Sequence, residues 1–174
     1  LKTGFQFARA KKALGQNFLK SEVALRKIVE AGEIKPDDII LEIGPGKGAL
    51  TKKLLEHAGL VVAVEKDHNL FELLKEKFSE QIKSGSLVLV HDDILNFNVS
   101  NYNLETRTYK IIANIPYNIT GAILKKFLTA ENQPEAMVLM VQNEVAKRIV
   151  ARDGKESILS VSVKVYGEPK MIMK

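Results

Sequence analysis

Ile39-Ile40-Leu41-Glu42-Ile43-Gly44-Pro45-Gly46-Lys47-Gly48-Ala49-Leu50 decides the fold. Ile39 to Ile43 is a short apolar run bounded by turn residues, the pattern of a strand buried on both faces of a parallel sheet. Gly44 to Gly48 turns the chain, and Leu50 to His57 follows as a helix. The same alternation extends in both directions. Upstream, Ser21 is placed to cap a helix whose apolar face holds Val23, Leu25, Ile28 and Val29; Gly32 ends it and Pro36-Asp37-Asp38 turns the chain. Downstream, Leu60 to Val64 is a second strand, ending at Glu65, and Asp67 caps a helix carrying Leu70, Leu73, Leu74 and Phe78. Ser86 to Val90, Tyr109 to Ala113 and Ala136 to Val141 read as strands, with helices at Ala122 to Leu128 and Val145 to Val150. Strands alternating with helices predict an α/β fold, with right-handed crossovers and helices on both faces of a mostly parallel sheet. Residues 158–165 fit either a strand or a helix, and Met171 to Met173 could form a last strand.

The composition bounds what such a fold can do. A chain of 174 residues, 45% hydrophobic and 27% charged, suits one soluble globular domain and excludes intrinsic disorder. Apolar stretches such as Ala136 to Val141 fall far short of the ~18–20 residues of a membrane-spanning helix. With no cysteine there is no disulfide, thiolate nucleophile or Cys-based metal site. His57, His68 and His91 lack ligand spacing, so no metal is expected. The net charge of +5 resides in residues 1–20, where Lys2, Arg9, Lys11, Lys12 and Lys20 meet no acid. The remainder balances 21 basic against 21 acidic residues. A basic arm on a neutral body points to nucleic acid, with Arg9, Lys11 and Lys12 as phosphate contacts. From charge alone, a solvated tail or a transit peptide is the alternative.

The glycine turn and Glu65 together suggest a ligand. The spacing is G-x-G-x-G and not the G-x-G-x-x-G of dinucleotide binders. Pro45 and the missing third-glycine spacing disfavour a pyrophosphate, which needs free N–H groups at the helix start. Glu65 ends the second strand 21 residues after Gly44, where a carboxylate can accept both hydroxyls of a ribose. An adenosine cofactor without phosphate fits best, and S-adenosylmethionine is the common one. Asp93 reads either as a ligand contact or as a helix cap, with Asp92 the alternative cap, and Asn17 reads by itself as a turn residue.

Leu41 to Thr51 resembles motif I of the ribosomal RNA adenine N6-dimethyltransferases, which include small-subunit rRNA dimethyladenosine transferases and macrolide-resistance methylases. Gly15-Gln16-Asn17-Phe18-Leu19 is similar to their N-terminal motif, Glu65-Lys66-Asp67 to motif II, Asp93-Ile94-Leu95 to motif III, and Asn114-Ile115-Pro116-Tyr117 to motif IV. Val141 to Ala146 resembles the stretch after the fifth strand, so the likeness runs from residue 11 to about residue 166.

The resemblance implies a Rossmann-like class I S-adenosylmethionine-dependent methyltransferase. It implies an arm at 1–20, a catalytic domain at 21–174, and a C-terminal helical domain lying beyond these residues. Gln16, Asn17 and Leu19 would close over the methionine end of the cofactor, with Gly44 and Gly46 beneath it. Glu65, with Lys66 beside it, would hold the ribose, and Asp93 and the Ile94 N–H the adenine. Asn114, which the resemblance also places among the cofactor contacts, and a neighbouring carbonyl would each accept one N6–H of the target adenine, which favours a tetrahedral nitrogen and aims its lone pair at the methyl group. Pro116 would fix that turn, and Tyr117 would stack on the extruded base for ~1–3 kcal/mol.

The implied substrate is small-subunit ribosomal RNA or an immature small subunit, methylated on two adjacent adenines by a cytoplasmic monomer. A large-subunit resistance methylase, a nucleic-acid-binding module on an inactive methyltransferase fold, and a nicotinamide oxidoreductase are the alternatives. Gly154-Lys155-Glu156-Ser157 departs from the family's Tyr-Gly before Leu-Ser-Val, yet the resemblance makes 157–166 a helix.

Overall fold

The computed structural model describes residues 21–102, 104, 108–115, 117–151 and 154–173, with Tyr117 by its backbone alone. Five parallel strands form one sheet: β1 (Ile39–Ile43), β2 (Leu60–Glu65), β3 (Leu87–His91), β4 (Tyr109–Asn114) and β5 (Ala136–Met140), in the order β3-β2-β1-β4-β5. Among the described residues seven α-helices precede, connect or follow them: α1 (Glu22–Ala31), α2 (Ala49–Leu55), α3 (His68–Lys77), α4 (Ser79–Ser84), α5 (Thr120–Leu128), α6 (Asn143–Ile149) and α7 (Ile158–Lys164).

Alternation along β1 builds two core layers. Ile39, Leu41 and Ile43 face one side, with Val62, Val64, Ile94, Ile111, Ile115, and Ile123 and Phe127 from α5. Ile40 faces the other, with Leu25 and Ile28 of α1, Leu50 and Leu54 of α2, and Leu74 and Phe78. Every residue of β1 is buried, as a central parallel strand requires. The caps form where the sequence places them. The Ser21 hydroxyl accepts from the Ala24 N–H at 3.3 Å, and Asp67 Oδ1 accepts from Asn69 and Leu70 at 2.9 and 3.1 Å.

Some expectations are corrected. Val23 and Leu73, placed on apolar helix faces, stand exposed, because the buried faces are Ala24-Leu25-Ile28 and Leu70-Leu74. Phe78 leaves helical geometry and a separate α4 follows, which was not foreseen. Residues 158–164, left open by pattern alone, are helical as the resemblance implies, fixed by a reciprocal cap: the Ser160 N–H donates to Ser157 Oγ, and the Ser157 N–H to Ser160 Oγ at 2.7 Å. Met171–Met173 is not a strand; it runs irregularly beside β5 and lines an apolar groove of about 500 Å³ with Tyr166 and Met137. None of Gly44, Glu65, Asp93 and Asn114 lines that groove. Among the described residues no helix is long and apolar enough to cross a membrane.

Candidate active site

In a parallel sheet all strands deliver their C-terminal ends to one edge. Gly44, Glu65, Asp93 and Asn114 follow or end β1, β2, β3 and β4, so four distant segments meet there. The order β3-β2-β1-β4-β5 reverses direction between β1 and β4, the switch point at which open α/β sheets bind ligands. The β1–β4 ladder runs from Ile39↔Tyr109 to Leu41↔Ile111. Both strands continue beyond it, to Ile43 and Asn114, so Gly44 and Asn114 lie at the same end of neighbouring strands.

The glycine loop is shaped for close approach. Gly44 has φ +64° and its N–H donates to the Val64 carbonyl at 2.9 Å. A Cβ at Gly44 would meet nothing within 4 Å, so the glycine serves the left-handed backbone and leaves bare space above it. Gly48, with φ +75°, answers a different need: a Cβ there would lie 2.5 Å from Phe78 Cε2. This glycine lets α2 pack against the end of α3.

Glu65 is buried, and its carboxylate is held on both sides. Oε2 accepts from the Gly46 N–H at 3.0 Å and Oε1 from the Asp67 N–H at 2.8 Å. Burial lifts its pKa, and the backbone N–H groups of Asp67 and Gly46 pull in the opposite direction. A carboxylate can accept more bonds than these, so one fixed in this way is able to receive a pair of vicinal hydroxyls.

Asp93 is oriented as tightly. Its Oδ1 accepts from the Leu95 N–H at 3.0 Å, and its Oδ2 pairs with Lys66 Nζ at 2.6 Å. The Lys66 hydrogen bond and the Leu95 N–H hold its pKa below the usual carboxylate value. Asp93 thus caps its own turn and not a helix, while Asp92 Oδ1 accepts from the Asp93 N–H at 2.7 Å. The Asp92 N–H donates to the Glu65 carbonyl at 3.1 Å and ties the two segments together. The Ile94 side chain is buried in the core, so that residue also anchors the turn.

Asn114 is the last residue of β4 and is partly exposed. Ile115 is a core anchor: its side chain is buried and its N–H donates to the Met140 carbonyl at 3.1 Å. The backbone of Tyr117 opens a 3₁₀ turn, Tyr117–Ile119, that leads into α5. Pro116, Gln16, Asn17, Leu19, Arg9, Lys11 and Lys12 lie outside the described residues. Among the described residues no group of three or more His, Asp or Glu could hold a metal ion.

Three buried polar residues are not singled out by the sequence pattern: Glu42, Thr51 and Thr120. Glu42 is 1% exposed, and burial, reinforced by the Glu65 charge, pushes its carboxyl up to about 8. The Thr51 hydroxyl stands beside it and opposes that rise, yet neither Glu42 Oε2 nor Thr51 Oγ1 has a hydrogen bond of ordinary geometry within the protein. Thr120 Oγ1, at the start of α5, is likewise buried without a hydrogen-bond partner among the described residues. The signal for Glu42 was available, since it is the one acid in the apolar run Ile39 to Ile43.

An adenosine-type group fits these residues. Bare space over Gly44 admits a ligand close to the backbone, a pre-held carboxylate at Glu65 suits a ribose, and Asp93 supplies a second acceptor across the edge.

Residues 7–174 match the family described as Ribosomal RNA adenine dimethylase. The chain is 46% identical, over 94% of its length and 55% of the relative's, to "Ribosomal RNA small subunit methyltransferase A" of Dehalococcoides mccartyi (strain CBDB1). It is 40% identical, over 94% of its length and 59% of the relative's, to the protein of the same name from Moorella thermoacetica. The chain therefore spans about half the length of the curated relatives it matches. Among solved structures it resembles a dimethyladenosine transferase from Plasmodium falciparum, with a TM-score of 0.73 and 31% identity over 86% of this chain and 52% of that one. The 23S rRNA methyltransferase ErmE aligns with a TM-score of 0.71 and 33% identity, over 83% of this chain and 56% of that one. The fold is that of these methyltransferases, and with a family match across nearly its whole length the chain belongs to the ribosomal RNA adenine dimethylase family.

Proposed function

We propose that this chain is the catalytic part of an S-adenosylmethionine-dependent enzyme that dimethylates N6 of two adjacent adenines in small-subunit ribosomal RNA during ribosome assembly. The observation that carries this reading is the meeting of Gly44, Glu65, Asp93 and Asn114 at the β1/β4 switch point. The small-subunit target follows the names of the relatives at 40–46% identity. Methylation of 23S rRNA is the second reading, favoured by the likeness to ErmE.

The cofactor supplies an electrophilic methyl group on a sulfonium. The chain's own residues bind and align. Glu65 accepts the ribose hydroxyls, with Lys66 alongside, and Asp93 and the Ile94 N–H take the adenine. Gly44 and Gly46 admit the ligand close to the backbone, and Gln16, Asn17 and Leu19 close over its methionine end.

Asn114 and a carbonyl of the Ile115-Pro116 turn accept the two N6 hydrogens of the target base. An exocyclic amine delocalised into its ring is a poor nucleophile, so holding both hydrogens aims the lone pair without a strong base. Tyr117 stacks on the extruded base. Alignment of this kind supplies much of the acceleration. Arg9, Lys11 and Lys12 contact RNA phosphates, and the protein works as a cytoplasmic monomer.

The test is methyl transfer from labelled cofactor to immature small ribosomal subunits, with the modified bases mapped. Asn114→Ala should lower the transfer rate by about 100-fold or more and leave cofactor affinity within about threefold. Equal losses in both would make Asn114 a cofactor residue. Labelling confined to large-subunit RNA would favour the second reading.

A further inference from the structure

The segment Asp92–Phe97 carries the residues assigned to the cofactor's adenine, and the N–H groups of Asp93, Leu95, Asn96 and Phe97 are used within it. Leu95 donates to Asp93 Oδ1 at 3.0 Å, and Asn96 and Phe97 donate to the Asp93 carbonyl at 2.8 and 2.9 Å. The carbonyls of Leu95 and Phe97 have a different partner. Both accept from Lys126 Nζ, at 2.9 and 2.6 Å. Lys126 belongs to α5, which begins directly after the Asn114–Ile119 stretch.

The two elements also share a core layer, in which Ile94 and Phe97 of the turn meet Ile123 and Phe127 of α5. Apolar packing of this kind sets distance but resists sliding only weakly. A cation bonded to two carbonyls fixes the turn against the helix, because charge-assisted bonds are directional and stronger than neutral ones. Partial burial lowers the Lys126 pKa, and the neighbouring carboxylates of Asp92 and Asp93 support its charge.

We propose that Lys126 is a positioning residue for cofactor recognition: by clamping the Leu95 and Phe97 carbonyls to α5, it holds the Asp93 turn in register with the helix that follows the Asn114 segment. Cofactor and target base are thereby aligned on one frame. The inference rests on the reading of Asp93 as the acceptor for the adenine amino group.

The test compares two ligands on the 174-residue chain by calorimetry. One is S-adenosylhomocysteine; the other is its purine analogue, lacking the 6-amino group. The wild-type protein should prefer the first. Lys126→Met retains the aliphatic stem and removes the donors, and it should erase about tenfold of that preference. Lys126→Arg, with donors at similar reach, should restore most of it. A residue that merely stabilises the fold would lower the unfolding temperature and leave the ratio of the two affinities unchanged.

An unchanged ratio in Lys126→Met overturns the proposal while leaving the Asp93 assignment intact. A wild-type protein that binds both ligands equally refutes the Asp93 assignment and the proposal with it. If Lys126→Met lacks a cooperative unfolding transition, Lys126→Gln is read in the same way. Loss of folding in both would make Lys126 a residue of stability alone, which also overturns the proposal.

Discussion

Replacing Glu42 by glutamine should flatten the pH dependence of stability between about 4.5 and about 8. Glu42 sits in the middle of a fully buried strand, and its carboxyl ionises in the folded protein only at about 8, against an ordinary value of 4.5. Within that window the unfolded chain has lost the Glu42 proton and the folded protein retains it. The folded state then binds more protons, so rising pH favours unfolding. The stability contributed by the neutral carboxyl is complete below the lower value and is lost as pH rises through the upper one.

A shift from 4.5 to about 8 corresponds to on the order of 5 kcal/mol across the window. That figure is an upper bound, because relaxation and water entry soften the burial of charge. Glutamine has the same shape and stays neutral. Urea unfolding of both proteins from pH about 5 to about 9 isolates the effect, since every other titrating group is shared. The advantage of Glu42→Gln over wild type should grow steadily with pH and level off above about 8. A difference that does not change with pH would show that Glu42 titrates like an exposed acid and would refute the reasoning. Because the Glu65 charge helps to raise Glu42, Glu65→Gln should move the upper end of the window downward.

Glu65→Ala should weaken cofactor binding more than tenfold by calorimetry, because charge-assisted hydrogen bonds are worth about 1.5–3 kcal/mol each and the Gly46 and Asp67 N–H groups also lose their acceptor. Unchanged affinity would remove Glu65 from the site. Lys110→Met should cost about 3–5 kcal/mol in urea unfolding: Lys110 Nζ bonds Asp38 Oδ2 at 2.8 Å and the Gly32 and Glu33 carbonyls at 3.2 and 2.9 Å, and both side chains of the ion pair are largely buried. A loss below about 1 kcal/mol would mean that the pair behaves as a surface salt bridge. Alanine at Arg9, Lys11 and Lys12 together should lower the slope of log RNA affinity against log salt by about 2, given ~0.7 per phosphate contact on single strands. An unchanged slope would clear the arm of contact with RNA.

The sheet was legible because β1 to β5 are apolar runs of strand length separated by turn and cap residues, and local pattern and tertiary demand agree there. Disagreement came where pattern alone leaves two answers. Ile158 to Val165 alternates partly at period two, yet the chain is helical because Ser157 and Ser160 cap one another, a two-residue signal within an ambiguous run. Met171–Met173 has strand-like composition but pairs with no strand among the described residues; it lines the groove beside β5. In the site, Glu65 could be read from its position at a strand end. The clasp of Glu65 by the Gly46 and Asp67 N–H groups could not, because it depends on how the glycine loop folds back over β2. Lys126 was invisible for a related reason: it lies 31 and 29 residues from the carbonyls it binds, and nothing local distinguishes it from Lys125.

A rule of placement nonetheless links fold to chemistry. Four of the positions assigned to the ligands adjoin a buried apolar residue: Ile43 before Gly44, Val64 before Glu65, Ile94 after Asp93 and Ile115 after Asn114. All four anchors belong to the same core layer, together with Ile123 and Phe127 of α5. At the ends of β2 and β4 alternation accounts for the arrangement, since a side chain locked into the core turns its neighbour away from that layer. The four strand ends are therefore registered to one another through a single packed surface, although their segments are far apart in sequence. Interiors are close-packed, and a change of one methylene is transmitted rather than absorbed. Methyl transfer by alignment is correspondingly sensitive, because a displacement of about 1 Å can cost about 100-fold in rate. On this argument the precision of the site comes from the apolar layer beneath it. The polar residues at the crevice supply the recognition chemistry, and Ile43, Val64, Ile94 and Ile115 determine where that chemistry is delivered.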